Sequence, residues 1–232
     1  MNRRVAVYAG TRNVYPHMVT AAKSLVSTTR MDRVVFLTED KNFPEKLPGI
    51  VDVIDVSNQK WFEKTGPNYF SRWSYMSMMR LAVHELLPEE MRALWLDVDT
   101  IVRTDIGRLL DMNLDGYYMA AAEEPIRSRD PFVYYNSGVM LMNLEKLRDG
   151  MADALIGLVN TRRMRFPDQD AINLLCQTKI KKMDAQYNSN RWIVEVNDPA
   201  IIHYAADREY WTRSGWKKYE NAEWRVKDAG KV

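Results

Sequence analysis

Apolar runs of strand length alternate with a helix-period segment at the start of the chain. Arg4 to Ala9, Arg33 to Leu37 and Val51 to Val56 are short, rich in valine and isoleucine, and bounded by polar residues. Between the first two, Gly10-Thr11-Arg12-Asn13 reads as a turn. Pro16 sits where a helix start tolerates its missing N–H, and Met18, Ala21, Ala22, Leu25 and Val26 recur at helical spacing. This β-α-β order predicts a largely parallel sheet with ligands at the carboxyl ends of its strands. A fourth run, Ala93 to Leu96, leads straight into Asp97-Val98-Asp99-Thr100.

Residues 57 to 70, with Trp61, Phe62, Gly66, Pro67 and Tyr69, predict a long loop of the kind that often serves as a lid. A helix is expected from Ser71 to Leu87, stopped by Pro88 and carrying Arg80. Asp105 is placed to cap a short helix holding Ile106, Leu109 and Leu110. Tyr117 to Ala122 reads as a strand ending at Glu123-Glu124-Pro125. Tyr135-Asn136-Ser137-Gly138 precedes the apolar run Val139 to Met142, and Leu144 to Val159 reads as one amphipathic helix. Asp168 is a candidate cap for the helix that follows Pro167, and Ala200 to Tyr204 is a late strand. The tail after Asp207 is rich in Trp, Tyr, Lys and Arg. It fits a final amphipathic helix, with peripheral membrane contact as the other reading.

At 232 residues, with no internal repeat, low-complexity stretch or linker, one α/β domain is the economical expectation. A net charge of +2 argues against a dominant nucleic-acid surface. A single cysteine, Cys176, rules out an intrachain disulfide. With no apolar stretch of signal or membrane-spanning length, a cytoplasmic location is expected.

The chemistry concentrates at Asp97 and Asp99. Extended residues two apart point to one side, so both carboxylates can converge on one hard divalent ion. A lone D-x-D is also a common turn, but a buried strand running into two acids is costly unless the charge is paired or coordinated.

Several further segments occur in a fixed order with this one: Arg80-Leu81, Tyr135-Asn136-Ser137-Gly138-Val139, Phe166-Pro167-Asp168-Gln169-Asp170-Ala171, Tyr187-Asn188 and Ile202-His203-Tyr204. Together with Leu94 to Val102 they resemble the family 8 glycosyltransferases, retaining enzymes that use UDP-sugars. The resemblance spans nearly the whole chain. It implies a GT-A fold: an α/β domain with a central, mostly parallel but mixed sheet flanked by helices. Residues 1–102 would form the nucleotide-binding half and 103–232 the acceptor half with its tail.

The resemblance also implies roles. Asp97, Asp99 and His203 would hold Mn²⁺ or Mg²⁺. Ala9, Thr11, Asn13 and Tyr15 would meet the uridine, with Tyr15 stacked on the base. Arg80, Val98, Asn136, Ser137 and Gly138 would line the donor, Asp168 would bind its sugar and Gln169 would lie beneath the anomeric carbon. Glu123 stands near an acidic family position. The acceptor would be a glycan, glycolipid or protein. Taken singly, these residues also fit plainer roles: His203 in a core, Tyr15 as a helix staple, Arg80 as a solvated charge, Gly138 as a packing residue and Asp168 as a cap.

The family's closing H-Y-x-G-x-x-K-P-W is altered. Here Ala206 replaces the glycine, Glu209 the lysine that normally meets the diphosphate, and Tyr210 the proline. Arg208, Arg213, Lys217 and Lys218 are the nearest substitutes, with Arg208 and Lys218 preferred. Two rivals remain at this level. One is a phosphohydrolase of the haloacid dehalogenase type, whose motif also has the D-x-D-x-T/V shape. The other is a GT-A domain that binds sugar nucleotide or glycan without turnover.

Overall fold

The structure is a computed structural model that describes residues 3–43, 45–70, 74–129, 131–193 and 196–227. Strands β1 (Val5–Ala9), β2 (Arg33–Thr38) and β3 (Val51–Asp55) form where the apolar runs predict them, with α1 (Tyr15–Thr28) crossing from the first to the second. Strand β4 (Arg92–Leu96) pairs parallel to β1. Two elements on the other side complete the sheet's middle, β6 (Met119–Glu123) and β7 (Tyr135–Asn143), and β8 (Ile180–Met183) closes its edge. The order is β3-β2-β1-β4-β7-β6-β8, and β7 alone runs against the rest. Strands β5 (Thr100–Val102) and β9 (Ile201–His203) make a separate antiparallel pair, and the short α3 (Gly107–Leu110) follows β5.

Both faces of the sheet are covered, which is why its central strands β1, β2, β4 and β7 read as largely apolar runs. Alternate residues serve opposite layers. Val5, Val7, Ala93, Trp95, Met140 and Met142 pack with Met79, Leu155 and Ile172 on one side. Ala6, Tyr8, Leu94, Leu96, Val139 and Leu141 pack with Met18, Leu25 and Trp216 on the other. The tail forms α7 (Ser214–Glu220), which buries Trp216 and Tyr219 and lies on α1, in keeping with the amphipathic-helix expectation. Among the described residues, no helix is long and apolar enough to cross a membrane.

Four expectations are corrected. The helix expected from Ser71 to Leu87 is a 3₁₀ helix over Tyr75–Ala82 followed by the short α2 (Val83–Leu86); its proposed start lies outside the described residues. The 57–70 loop is pinned rather than poised as a lid. Asn68 is buried, donates to the carbonyls of Val159 (2.6 Å) and Arg162 (2.7 Å), and accepts from the N–H of Met164 (3.0 Å). Strand β8 was not anticipated, because Ile180-Lys181-Lys182-Met183 is short and half basic, a composition that suits a protected edge.

The fourth correction is the helix expected over Leu144 to Val159. It is interrupted into α4 (Leu144–Leu147) and α5 (Met151–Thr161), with Gly150 at φ 90° between them. That left-handed backbone is open to glycine and strained for residues with a Cβ. A Cβ added there meets nothing within 4 Å, so the cost of Gly150→Ala is purely conformational. We expect a loss of about 1 kcal/mol, or a melting temperature roughly 2–4 °C lower by circular dichroism. An unchanged melting temperature would show that the left-handed turn is dispensable.

Candidate active site

The site forms where β4 ends. Because β7 is antiparallel to β4, its entry residues return to the point where the aspartates begin: Leu96 pairs with Val139, and the Asp97 N–H donates to the Gly138 carbonyl at 2.8 Å. The β5–β9 pair supplies the third group. Thr100 is opposite His203, and the Tyr204 N–H donates to the Asp99 carbonyl at 2.9 Å, so the imidazole arrives beside the carboxylates. One ligand atom from each of Asp97, Asp99 and His203 falls within 4.8 Å of the others. His203 Nε2 is 3.3 Å from Asp99 Oδ1 and 3.8 Å from Asp97 Oδ2.

Glycine at 138 is explained by contact. A Cβ there would lie 2.1 Å from His203 Cε1, so the ring rests on the bare backbone. Asn188, fully buried, accepts from His203 Nδ1 at 2.9 Å and donates to Asn136 Oδ1 at 2.9 Å. Holding the proton on Nδ1 leaves the Nε2 lone pair facing two carboxylates, which calls for a proton or a metal cation between them. Burial opposes charge on His203, but the Asp99 and Asp97 carboxylates outweigh it and raise its pKa. Burial likewise opposes ionisation of Asp99, and the His203 charge outweighs it and lowers that pKa. Asp97 shifts upward, because burial there exceeds the help from Arg80 and His203. An oxygen-and-imidazole donor set of this kind fits a divalent metal ion.

Arg80 is not a solvated charge. In the 3₁₀ helix, residues three apart eclipse one another, so Ser77 and Arg80 share a row facing the site. At 2% exposure, the Arg80 guanidinium donates to Asp97 Oδ1 (2.8 Å), contacts Asp168 Oδ2 (3.0 Å), bonds the Ser137 carbonyl and lies 4.7 Å from the centre of the Trp95 ring. Asp168 is not a cap either. Phe166 is the N-cap of α6 (Pro167–Leu175), and the Asp168 side chain instead accepts from Ser137 Oγ at 2.9 Å. Gln169 accepts from the Ser137 N–H at 2.9 Å and donates to Glu124 Oε2 at 3.3 Å.

These groups line a cavity of about 380 Å³ that includes Arg80, Asp97, Asp99, Asn136, Ser137, Asp168, Gln169 and His203. A second, of about 490 Å³, shares His203, Ala205 and Ala206 with it and carries Arg191, Arg208 and Arg213. A larger cavity of about 870 Å³ opens at the amino ends of β1 and β4, beside Val5 and Ala93. Its Arg3 and Arg4 are engaged by Glu90 and Asp111, and it lacks the converging ligands.

Ala9, Thr11 and Asn13 sit at the carboxyl end of β1, next to β4 in the sheet, but they line neither of the two adjoining cavities, and nor does Val98. The Thr11 and Asn13 side chains bond each other. The expectation that Tyr15 stacks on a base is corrected. The ring is 1% exposed and stacked on Phe43 at 4.6 Å, and its hydroxyl accepts from the N–H groups of Glu39 (2.9 Å) and Asp40 (3.1 Å). Glu123 faces outward to Lys182 at 2.7 Å, whereas its neighbour Glu124 is buried under Asn136 and Gln169.

Lys218 is also set aside as the substitute cation, since it lies over Tyr219 on α7. Lys217 pairs with Glu220, and Arg213 with Asp207. Arg208 does reach the second cavity, while Glu209 is exposed and lines neither. Asn188, Glu124 and Arg191 had no role read from the sequence. The signal for Asn188 was the Tyr187-Asn188 segment, which the sequence marked as part of the ordered set without giving it a role.

This mixed seven-stranded sheet flanked by helices is the GT-A class of fold. It is shared with the glycosyltransferase GlyE of Streptococcus pneumoniae strain TIGR4, with a TM-score of 0.72, 22% identity, and 97% of this chain aligned to 62% of that one. It is shared equally with the galactosyltransferase LgtC, solved with donor and acceptor sugar analogues (TM-score 0.70, 18% identity, 97% of this chain, 98% of that one). The chain belongs to glycosyl transferase family 8, whose sequence profile matches residues 5–215. Glycosyltransferase GlyB of the same S. pneumoniae strain is 29% identical over 177 residues, which are 65% of this chain and 43% of that protein. The chain spans about half the length of the curated relatives it matches.

The imidazole seat generates a prediction. Asn188→Ala removes the acceptor that orients His203, and an outer-shell loss of this kind costs roughly 10–100-fold in metal affinity. Manganese titration followed by electron paramagnetic resonance should show that weakening. Unchanged Mn²⁺ affinity would remove His203 as a ligand set by Asn188.

Proposed function

We propose that the protein is a metal-dependent, retaining glycosyltransferase that moves a hexose from a UDP-sugar to a glycan, glycolipid or protein acceptor. The observation that carries this reading is the convergence of Asp97, Asp99 and His203 in one cavity with Asp168 and Gln169. Family membership supports it. The galactosyltransferase LgtC, solved with donor and acceptor sugar analogues, supports a two-substrate site.

Breaking a sugar–diphosphate bond places negative charge on the leaving group and positive charge on the anomeric carbon. When bound, a Mn²⁺ or Mg²⁺ ion held by Asp97, Asp99 and His203 supplies Lewis-acid stabilisation of the leaving diphosphate. Two carboxylates already balance a divalent ion, so the diphosphate needs further cations. Arg80 is committed to Asp97 and Asp168, which leaves Arg208, with Arg191 beside it, as the donors from the second cavity. Ala9, Thr11 and Asn13 take the nucleoside end at the neighbouring strand, with Val98 between the two aspartates; Tyr15 acts through the fold beneath them. Asn136, Ser137 and Gly138 shape the sugar's seat. Asp168 holds the sugar, and the Gln169 carbonyl faces the carbon that becomes positive, its amide oriented by Glu124 and Ser137. The phosphohydrolase alternative has no support once the chain is placed in family 8.

Two outcomes follow. Calorimetry should show UDP binding with Mn²⁺ that chelator abolishes and that Asp99→Asn weakens at least tenfold; equal UDP affinity with and without metal contradicts the metal site. Gln169→Ala should slow donor turnover at least tenfold while leaving UDP affinity within a few-fold. A parallel fall in both would assign Gln169 to the nucleotide and not to the sugar.

A further inference from the structure

The charges lining the donor cavity are nearly all spoken for. Arg80 is held by Asp97 and Asp168, His203 by Asp99, and Arg127 by the buried Glu124. Arg165 is different: it lines the same cavity, it is exposed, and among the described residues no carboxylate pairs with it. It is not loosely placed. The Arg165 and Phe166 N–H groups donate to Asp170 Oδ2 at 3.1 and 2.9 Å, and the other oxygen of Asp170 takes the Tyr134 hydroxyl. Two guanidinium groups stand over the Phe166 ring, Arg127 at 4.3 Å and Arg165 at 5.5 Å from its centre. Stacking fixes a guanidinium plane while leaving its N–H fork free for a planar or tetrahedral anion. The same segment carries exposed Arg162 and Arg163 and no acid before Asp168.

This positive rim is distinct from Arg191 and Arg208, the cations assigned to the diphosphate. Arg127, Arg165 and Phe166 line the first cavity but not the second, which holds Arg191 and Arg208. Along the chain, Arg165 is followed within one helical turn by Asp168 and Gln169, the residues assigned to the reacting sugar. A charge here therefore meets what approaches that sugar. We propose that the acceptor is an acidic saccharide, whose carboxylate or phosphate is bound by Arg165. This rests on the transferase reading given above and adds the chemical class of its second substrate.

The test uses the full chain with UDP and Mn²⁺ on an array of oligosaccharides ending in galactose, galacturonic acid or galactose 6-phosphate. The acidic ends should retain the protein at least tenfold more strongly than galactose. Arg165→Gln should bring that ratio to within twofold of unity. Preference for galacturonic acid alone identifies a carboxylate ligand, and preference for the phosphate alone identifies a phosphorylated one. Equal retention of all three sugars, or no retention of the acidic ones, overturns the proposal. So does an Arg165→Gln protein whose UDP affinity, measured in parallel by calorimetry, falls as far as its acidic-sugar binding, since Arg165 would then serve the donor. If the unaltered protein fails to bind UDP with Mn²⁺ in that calorimetry, the transferase reading itself falls, a result distinct from the others.

Discussion

The candidate site depends on one buried charge. The Arg80 guanidinium, almost wholly out of solvent, joins the end of β4 through Asp97 to the first turn of α6 through Asp168, and reaches the Ser137 carbonyl of β7 as well. A buried arginine without partners would be strongly unfavourable, and so would either aspartate at such a place without it. Each therefore requires the others, and three segments distant in sequence are held together by that requirement. The Trp95 ring beside the guanidinium and the indole N–H on Asp97 at 2.9 Å complete the enclosure.

The second constraint is topological. A parallel β7 would have carried Asn136, Ser137 and Gly138 to the far edge of the sheet. Running antiparallel to β4, it begins where β4 ends, so its first residues sit against the paired aspartates. Gly138 then makes room for His203, Asn188 holds that ring, and Asn136 ties Asn188 to Glu124 and through it to Gln169. The network is continuous from the imidazole to the Gln169 amide, so the Asp97-Asp99-His203 side and the Asp168-Gln169 side of the cavity are mechanically one unit. Polar groups this well satisfied in a buried setting rigidify a site, which is what a transfer reaction needs from residues that must keep their aim.

Local sequence was a good guide wherever one physical effect dominates. Short apolar runs became β1, β2 and β4 because burial on both faces leaves no polar side to interrupt them. The tail helix followed from its apolar stripe. Where two effects compete, local reading failed. Leu144 to Val159 has helical periodicity throughout, yet Gly150 turns left-handed and breaks it. Asp168 has the residue type and position of a cap, but a buried arginine nearby is a stronger claim on its carboxylate than a helix N–H. Tyr15 has the type and place of a base-stacking ring, but Phe43 and the turn after β2 occupy it.

The sequence alone determined the fold class, the strand that ends in Asp97 and Asp99, and the identity of His203 as their companion, because hydrophobic period and the ordered set of motifs are written residue by residue. Only the tertiary structure decided which acid of Glu123-Glu124 is inside, which cation near the end of the chain reaches a cavity, and why Gly138 has no side chain. Those outcomes hang on register, pairing direction and the filling of space between segments far apart in the chain, and a local stretch of sequence carries no measure of them.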